Sequence, residues 1–240
     1  MKFTEKLTSL AGKIHKVFEA GKKAEYDAFW DAQQGNGVLE GRSCDYMFAG
    51  QFWTKETCVP KYDIIKPYGI YMMFALNQCI TDMREWKKAN GEKVILDTTG
   101  AKEMTYGFYR SKLTYIETVN TTSASSLGHM FNLCGNLETI ELLILKDDGS
   151  QNMSTTFGST SALKNITIQG KIGASGVAFP STVLTKASII SIINALSSTT
   201  ANGKTISLRE AAIVSAFGSI DNAEWQALVA TKPNWTISLS

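Results

Sequence analysis

Residues 131–140 read Phe131-Asn132-Leu133-Cys134-Gly135-Asn136-Leu137-Glu138-Thr139-Ile140, and residues 157–166 read Phe157-Gly158-Ser159-Thr160-Ser161-Ala162-Leu163-Lys164-Asn165-Ile166. Both carry a Phe, a small polar residue at +3, an aliphatic at +6 and another at +9. Phe108-Tyr109-Arg110-Ser111-Lys112-Leu113-Thr114-Tyr115-Ile116 repeats the form with one residue deleted, and Phe74 to Met83 gives a degenerate fourth copy. Ile70, Met104, Leu127 and Met153 stand four positions before the four Phe anchors. A unit of roughly 20–30 residues with so few apolar positions cannot close a core alone, whereas units stacked in register share one continuous core. The repeat therefore predicts a stack with each Phe layered on the next. Glu141-Leu142-Leu143-Ile144-Leu145 and Thr167-Ile168-Gln169 mark a strand per unit. Asp147-Asp148-Gly149-Ser150, Asp97-Thr98-Thr99-Gly100 and Asn120-Thr121-Thr122-Ser123 mark turns.

Outside the repeats the composition changes. The chain has 240 residues, Lys+Arg 24 against Asp+Glu 22, and 44% hydrophobic residues, which fits one or two globular domains. Residues 1–95 hold 26 of the 46 charged side chains, and residues 96–240 hold 38 of the 45 Ser and Thr. Hydroxyls satisfy backbone groups in tight turns, so the Ser/Thr excess belongs with the repeats. A net charge of +2 supplies no field that would recruit nucleic acid or anionic lipid, so neither partner is expected. The longest apolar runs fall well short of the roughly 20 residues of a membrane helix, so no membrane insertion is expected.

Phe3, Leu7, Leu10, Ile14, Val17, Gly21, Ala24 and Ala28 follow alternating steps of four and three, which predicts an amphipathic helix over residues 1–31. Its apolar seam either buries against a copy of itself as a coiled coil, making a homo-oligomer through residues 1–31, or lies on its own domain. Lys2, Glu5, Lys6, Lys13, Lys16 and Glu19 interrupt every stretch that could serve as a secretory signal. The expectation is synthesis in a host cytoplasm without a signal peptide, with release in a particle on lysis. At the other end, Thr185 can cap a helix carrying Ile189, Ile192, Ile193 and Leu196. Lys204 to Leu208 alternates, Asp221-Asn222-Ala223-Glu224 reads as a capping box, and Trp235 to Leu239 alternates again. Residues 181–240 thus read as an α/β unit closing the stack.

Chemistry is sparse. Phosphate loops, zinc-protease helices and nucleophile elbows are absent from the sequence. Cys44, Cys58, Cys79 and Cys134 lack metal-ligand spacing and read as buried thiols. Asp82 with Glu85, and Asp147 with Asp148, are the carboxylate pairs that glycoside hydrolysis would need, but the second reads as a turn and the first as part of a solvated insertion. His15 and His129 show no partner. Phe52, Trp53, Tyr62, Tyr68 and Tyr71 cluster before the first clear repeat and read either as a recognition platform or as a cover for the stack's end, the latter being preferred. No catalytic, cofactor or metal residue is assigned, and the chain reads as non-enzymatic.

The Phe-x2-Cys-x2-Leu-x2-Ile form of residues 131–140 resembles the core repeat of BspA-like leucine-rich repeat proteins. The whole chain is similar to short proteins encoded by tailed phages and prophages of gut Firmicutes. There, a segment like Ala20 to Asp31 precedes an element like Met47 to Trp53, then repeats, then a piece like Leu184 to Leu196. The resemblance implies an α+β chain: an N-terminal amphipathic helix (1–31), an entry region and N-terminal cap (32–66), a leucine-rich repeat β-solenoid (67–180) and a C-terminal α/β cap (181–240). It further implies a virion protein of the phage tail, extracellular after lysis, that neighbours other virion proteins and displays a surface for a host-cell glycan or protein. A purely structural tail, baseplate or decoration role and a bacterial surface adhesin are the alternatives.

Overall fold

A computed structural model of the chain describes residues 37–45, 47–50, 60, 62–181, 183–198 and 203–240. Among the described residues nine strands pair in parallel, in three sheets of three. The first holds β1 (Val38–Ser43), β2 (Ile64–Gly69) and β3 (Ile95–Leu96). The second holds β4 (Tyr115–Asn120), β5 (Thr139–Ile144) and β6 (Asn165–Gln169), and the third β7 (Val177–Phe179), β8 (Lys204–Leu208) and β9 (Trp235–Leu239). A 3-10 turn, Met83–Glu85, precedes β3. Helices α1 (Lys186–Ala195), α2 (Glu210–Phe217) and α3 (Ala223–Ala230) connect the strands of the third sheet.

A column of phenylalanines fills the core. Phe48, Phe74, Phe108, Phe131, Phe157 and Phe179 are all buried, and each ring stacks on the next with centroids 4.5–5.6 Å apart. The residues at −4, +6 and +9 of the repeat are buried around it, and so are Asn77, Ser111, Cys134 and Thr160 at +3. Burying a polar atom is tolerable only when it is bonded. Asn77 donates to the Phe48 carbonyl and accepts from the amides of Cys79 and Ile80; Thr160 donates to the Phe157 carbonyl, and the Cys134 thiol to the Phe108 carbonyl at 2.9 Å.

On the side opposite the strands, the chain around each Phe runs as linked tight turns. Amides at Phe−1, +1 and +3 close turns within a layer, as Gly107 to Met104, Tyr109 to Tyr106 and Ser111 to Phe108. Amides at Phe−2, 0 and +2 reach the next layer, as Tyr106 to Gly128, Phe108 to Met130 and Arg110 to Asn132. The alternation requires positive φ at Phe−2 and Phe+2. Eight non-glycine residues adopt it, at φ 52–61°: Met72 and Leu76, Tyr106 and Arg110, His129 and Leu133, Thr155 and Ser159.

Two expectations about the fold need correction or restriction. The α+β chain with residues 67–180 wound as one continuous leucine-rich repeat β-solenoid does not form; the strands separate into three small parallel sheets, and α-helix among the described residues is limited to three short segments. The first break arises because residues 82–94 leave the layer on a short excursion, closed by the Lys87–Lys93 bridge and the Val94 amide on the Trp86 carbonyl. Trp86 anchors it edge-on against Phe48 and Phe74. The start of β4 pairs with Asp82 instead of β3. The second break lies at β6, whose free edge is taken by α1: the Ser188 and Ser191 hydroxyls accept from the amides of Ile166 and Ile168. The third sheet begins before residue 181, since β8 and β9 extend a parallel sheet begun by β7. The amphipathic helix expected over residues 1–31 lies outside the described residues.

The local helix signals sit close to where they were read. Thr185 caps α1, which buries Ile189, Ile192 and Ile193, and Asn222 rather than Asp221 caps α3, accepting from the amides of Glu224 and Trp225. No helix among the described residues is long and apolar enough to cross a membrane.

Candidate functional site

The turn side presents a band of half-buried aromatic rings. Tyr106 and His129 occupy the Phe−2 position of successive layers, and their rings are parallel with centroids 4.6 Å apart. Tyr71 and Tyr109 stand near perpendicular to Tyr106, at 6.2 and 5.2 Å. Asn132 bonds the His129 Nδ1 at 2.9 Å. Tyr106 and His129 project from backbone at positive φ, and the contacts of Tyr106 with Tyr71, Tyr109 and His129 restrict the rings before any ligand arrives. Tyrosine offers a large amphipathic surface with few torsions to freeze, which keeps the entropic cost of binding small.

At Phe+2 to Phe+5 of the same copies lies a shallow cleft of about 350 Å³, lined by Leu76, Gln78, Arg110, Lys112, Leu133 and Asn136, with Ser111 and Gly135 between them. Leu133 is 41% exposed, a large apolar side chain beside two cations. Carboxylates do not line this cleft, and neither Arg110 nor Lys112 has an ion pair among the described residues, whereas Lys66, Lys87, Lys88, Lys93, Lys164, Lys186 and Arg84 all do.

The carboxylates named from sequence are occupied elsewhere. Asp82 caps the 3-10 turn and is held by Arg84, whose hydrogen bond keeps its carboxyl below the usual range. Glu85 pairs with Lys87. Asp148 accepts from the Ser150 amide, which lowers its pKa and marks a turn. Arg84 also lies 3.7 Å over the Tyr115 ring, and the Tyr115 hydroxyl donates to Glu141; that bond raises the Tyr115 pKa to about 12. Burial, with the Asp45 charge second, pushes the Cys44 thiol up to about 12, and burial raises Cys134 as well, so both are poor nucleophiles at neutral pH. Cys79 is half-buried, with its amide donating to the Asn77 side chain. Groups of three or more metal-ligating side chains are absent among the described residues.

The aromatic cluster read before the first repeat divides. Tyr62 is buried, Tyr68 is 51% exposed beneath the Lys102 ammonium, and Tyr71 joins the aromatic band; Phe52 and Trp53, like His15 and Cys58, lie outside the described residues. Tyr106, Tyr109, Arg110 and Lys112 were not singled out from sequence, because Tyr106-Gly107-Phe108-Tyr109-Arg110 was read only as repeat framework. Recurrence of ring-bearing residues at Phe−2 in two consecutive copies was the available signal. Comparison of the chain with protein-family models, curated proteins and solved structures finds no match.

Proposed function

We propose that this chain is a non-enzymatic recognition protein whose turn side binds a glycan on a host-cell surface. The carrying observation is the rigid band of Tyr71, Tyr106, Tyr109 and His129 beside a polar cleft. Sugars offer apolar C–H faces to aromatic rings and hydroxyls to amide and phenol groups, and the band supplies both kinds of partner. Placement on a phage tail among other virion proteins rests on the sequence resemblance. Self-association through the apolar seam of residues 1–31 would raise the effective concentration of weak sites, multiplying avidity by roughly 100 to 10,000.

Labelled full-length protein should bind cell walls of gut Firmicutes. Periodate oxidation of the walls should abolish binding, protease treatment should not, and Tyr106→Ala should weaken it at least tenfold. Protease-sensitive, periodate-resistant binding would move the ligand to a protein. Absence of binding to any wall would leave a purely structural virion part as the better reading. Deleting residues 1–31 should lower wall avidity while leaving single-site affinity for soluble oligosaccharide unchanged.

A further inference from the structure

We infer that the ligand of this site is an anionic glycan, whose rings lie on the aromatic band while a phosphate or carboxylate substituent enters the cleft between Arg110 and Lys112. The inference rests on the recognition role proposed above and specifies its ligand class. Other cations that carry no ion pair among the described residues have other partners: the Lys204 and Lys232 ammoniums and the Arg209 guanidinium donate to backbone carbonyls, and Lys102 lies over the Tyr68 ring. The cleft instead brings two cations to one concave surface, with no carboxylate among the described residues that line it and with Gln78, Ser111 and Asn136 as the other polar residues.

Repulsion between two neighbouring cations is relieved when an anion sits between them, so the cleft is better completed by an anion than by a neutral hydroxyl. A guanidinium matches phosphate and carboxylate oxygens in a planar fork, and an ammonium adds a mobile point charge. Arg110 is held at φ 55°, its amide bonded to the Asn132 carbonyl of the next layer, so the stem of its side chain leaves a fixed backbone. Arg110 directly follows Tyr109 of the band, and Leu133 directly follows Asn132, whose side chain bonds His129, so the cleft and the band belong to the same layers.

The test is binding of the full chain to immobilised phosphomannan, polygalacturonate and neutral mannan. Both charged polymers, or one of them, should bind at least tenfold more tightly than mannan, and affinity for the charged polymer should fall steeply with added salt. Binding of phosphomannan alone assigns a phosphate, and binding of polygalacturonate alone a carboxylate. The double substitution Arg110→Gln with Lys112→Gln should abolish the preference for the charged polymer over mannan. Lys186→Gln, at the ion pair between α1 and α3, should leave that preference intact. Equal affinity for charged and neutral polymers, or an equal loss from Lys186→Gln, would overturn the inference while leaving the recognition role standing if Tyr106→Ala still weakens mannan binding. Failure of the folded chain to bind any glycan would overturn both.

Discussion

Thr155 is exposed and β-branched, yet it is held at φ 54°, where an L side chain costs about 1–2 kcal/mol. Thr155→Gly should therefore raise stability by about 0.5–1 kcal/mol after the greater unfolded-state freedom of glycine is subtracted, read as a shift in the denaturant midpoint at unchanged slope. Tyr106→Gly relieves the same backbone but loses the stack on His129, so it should lower stability or leave it unchanged; a gain equal to that of Thr155→Gly would mean that the aromatic band contributes nothing to the fold. Tyr115 gives a pH dependence. Its pKa is raised from 10 to about 12 mainly by the bond to Glu141, so its contribution is complete below pH 10 and disappears as pH rises through 12. The stability difference between the protein and Tyr115→Phe should shrink across that window, and a difference constant from pH 9 to 12 would count against the bond. Sequence reading reached the +3 column but not the positive-φ positions, because Met72, Leu76, Tyr106, Arg110, His129, Leu133, Thr155 and Ser159 include no Gly or Asn to announce the conformation. Gln151 was also illegible. It stands beside a polar turn yet is buried, donating to the carbonyls of Thr121 and Ala124 and accepting from the Lys146 amide.

Helix α1 substitutes for a strand. Ser188 accepts from the Ile166 amide and donates to the Lys164 carbonyl, and Ser191 accepts from the Ile168 amide, so the backbone edge of β6 is satisfied by hydroxyls spaced three residues apart on one helix face. Ser188→Ala leaves a buried amide without its acceptor and should cost about 1–3 kcal/mol, with faster hydrogen exchange at Ile166. An exchange rate unchanged at Ile166 would show that the hydroxyl is dispensable. The helix itself was readable from Thr185 and the spacing of its isoleucines. Its effect on the sheet was not, because Ser188 and Ser191 carry no strand signal and a serine in a helix ordinarily reads as solvated. The excursion at 82–94 was read as an insertion, but the burial of Trp86 against Phe48 and Phe74 was hidden by the charged residues around it.

At the scale of the whole molecule, three sheets that do not pair with one another share one phenylalanine column, which crosses both breaks from Phe48 to Phe179. The column should make the sheets unfold together. Amides of Ile65 in β2, Leu143 in β5 and Ile206 in β8 should converge on one opening free energy as denaturant is added, and separate plateaus would show independent units. Phe131→Ala, at mid-column, should cost about 3–5 kcal/mol and lower all three alike. The sequence carried four members of the column through the spacing of its repeats. Phe48 and Phe179 escaped because their flanks do not keep the +6 and +9 aliphatics, and the division into sheets escaped because a repeat pattern records which residues face the core, not whether neighbouring backbones meet. The turn side has one more property. From Phe−2 to Phe+2, the backbone bonds between layers run from an amide in the earlier layer to a carbonyl in the later one: Phe48 to Met73, Phe74 to Gly107, Phe108 to Met130, Phe131 to Thr156. Peptide dipoles aligned in one sense add head to tail, as they do in an α-helix. This face is therefore polarised along its length, with its positive pole at the layer of Thr155 and Ser159 and its negative pole at the layer of Phe48, and an elongated anion lying along it would meet a gradient that favours one of its two directions.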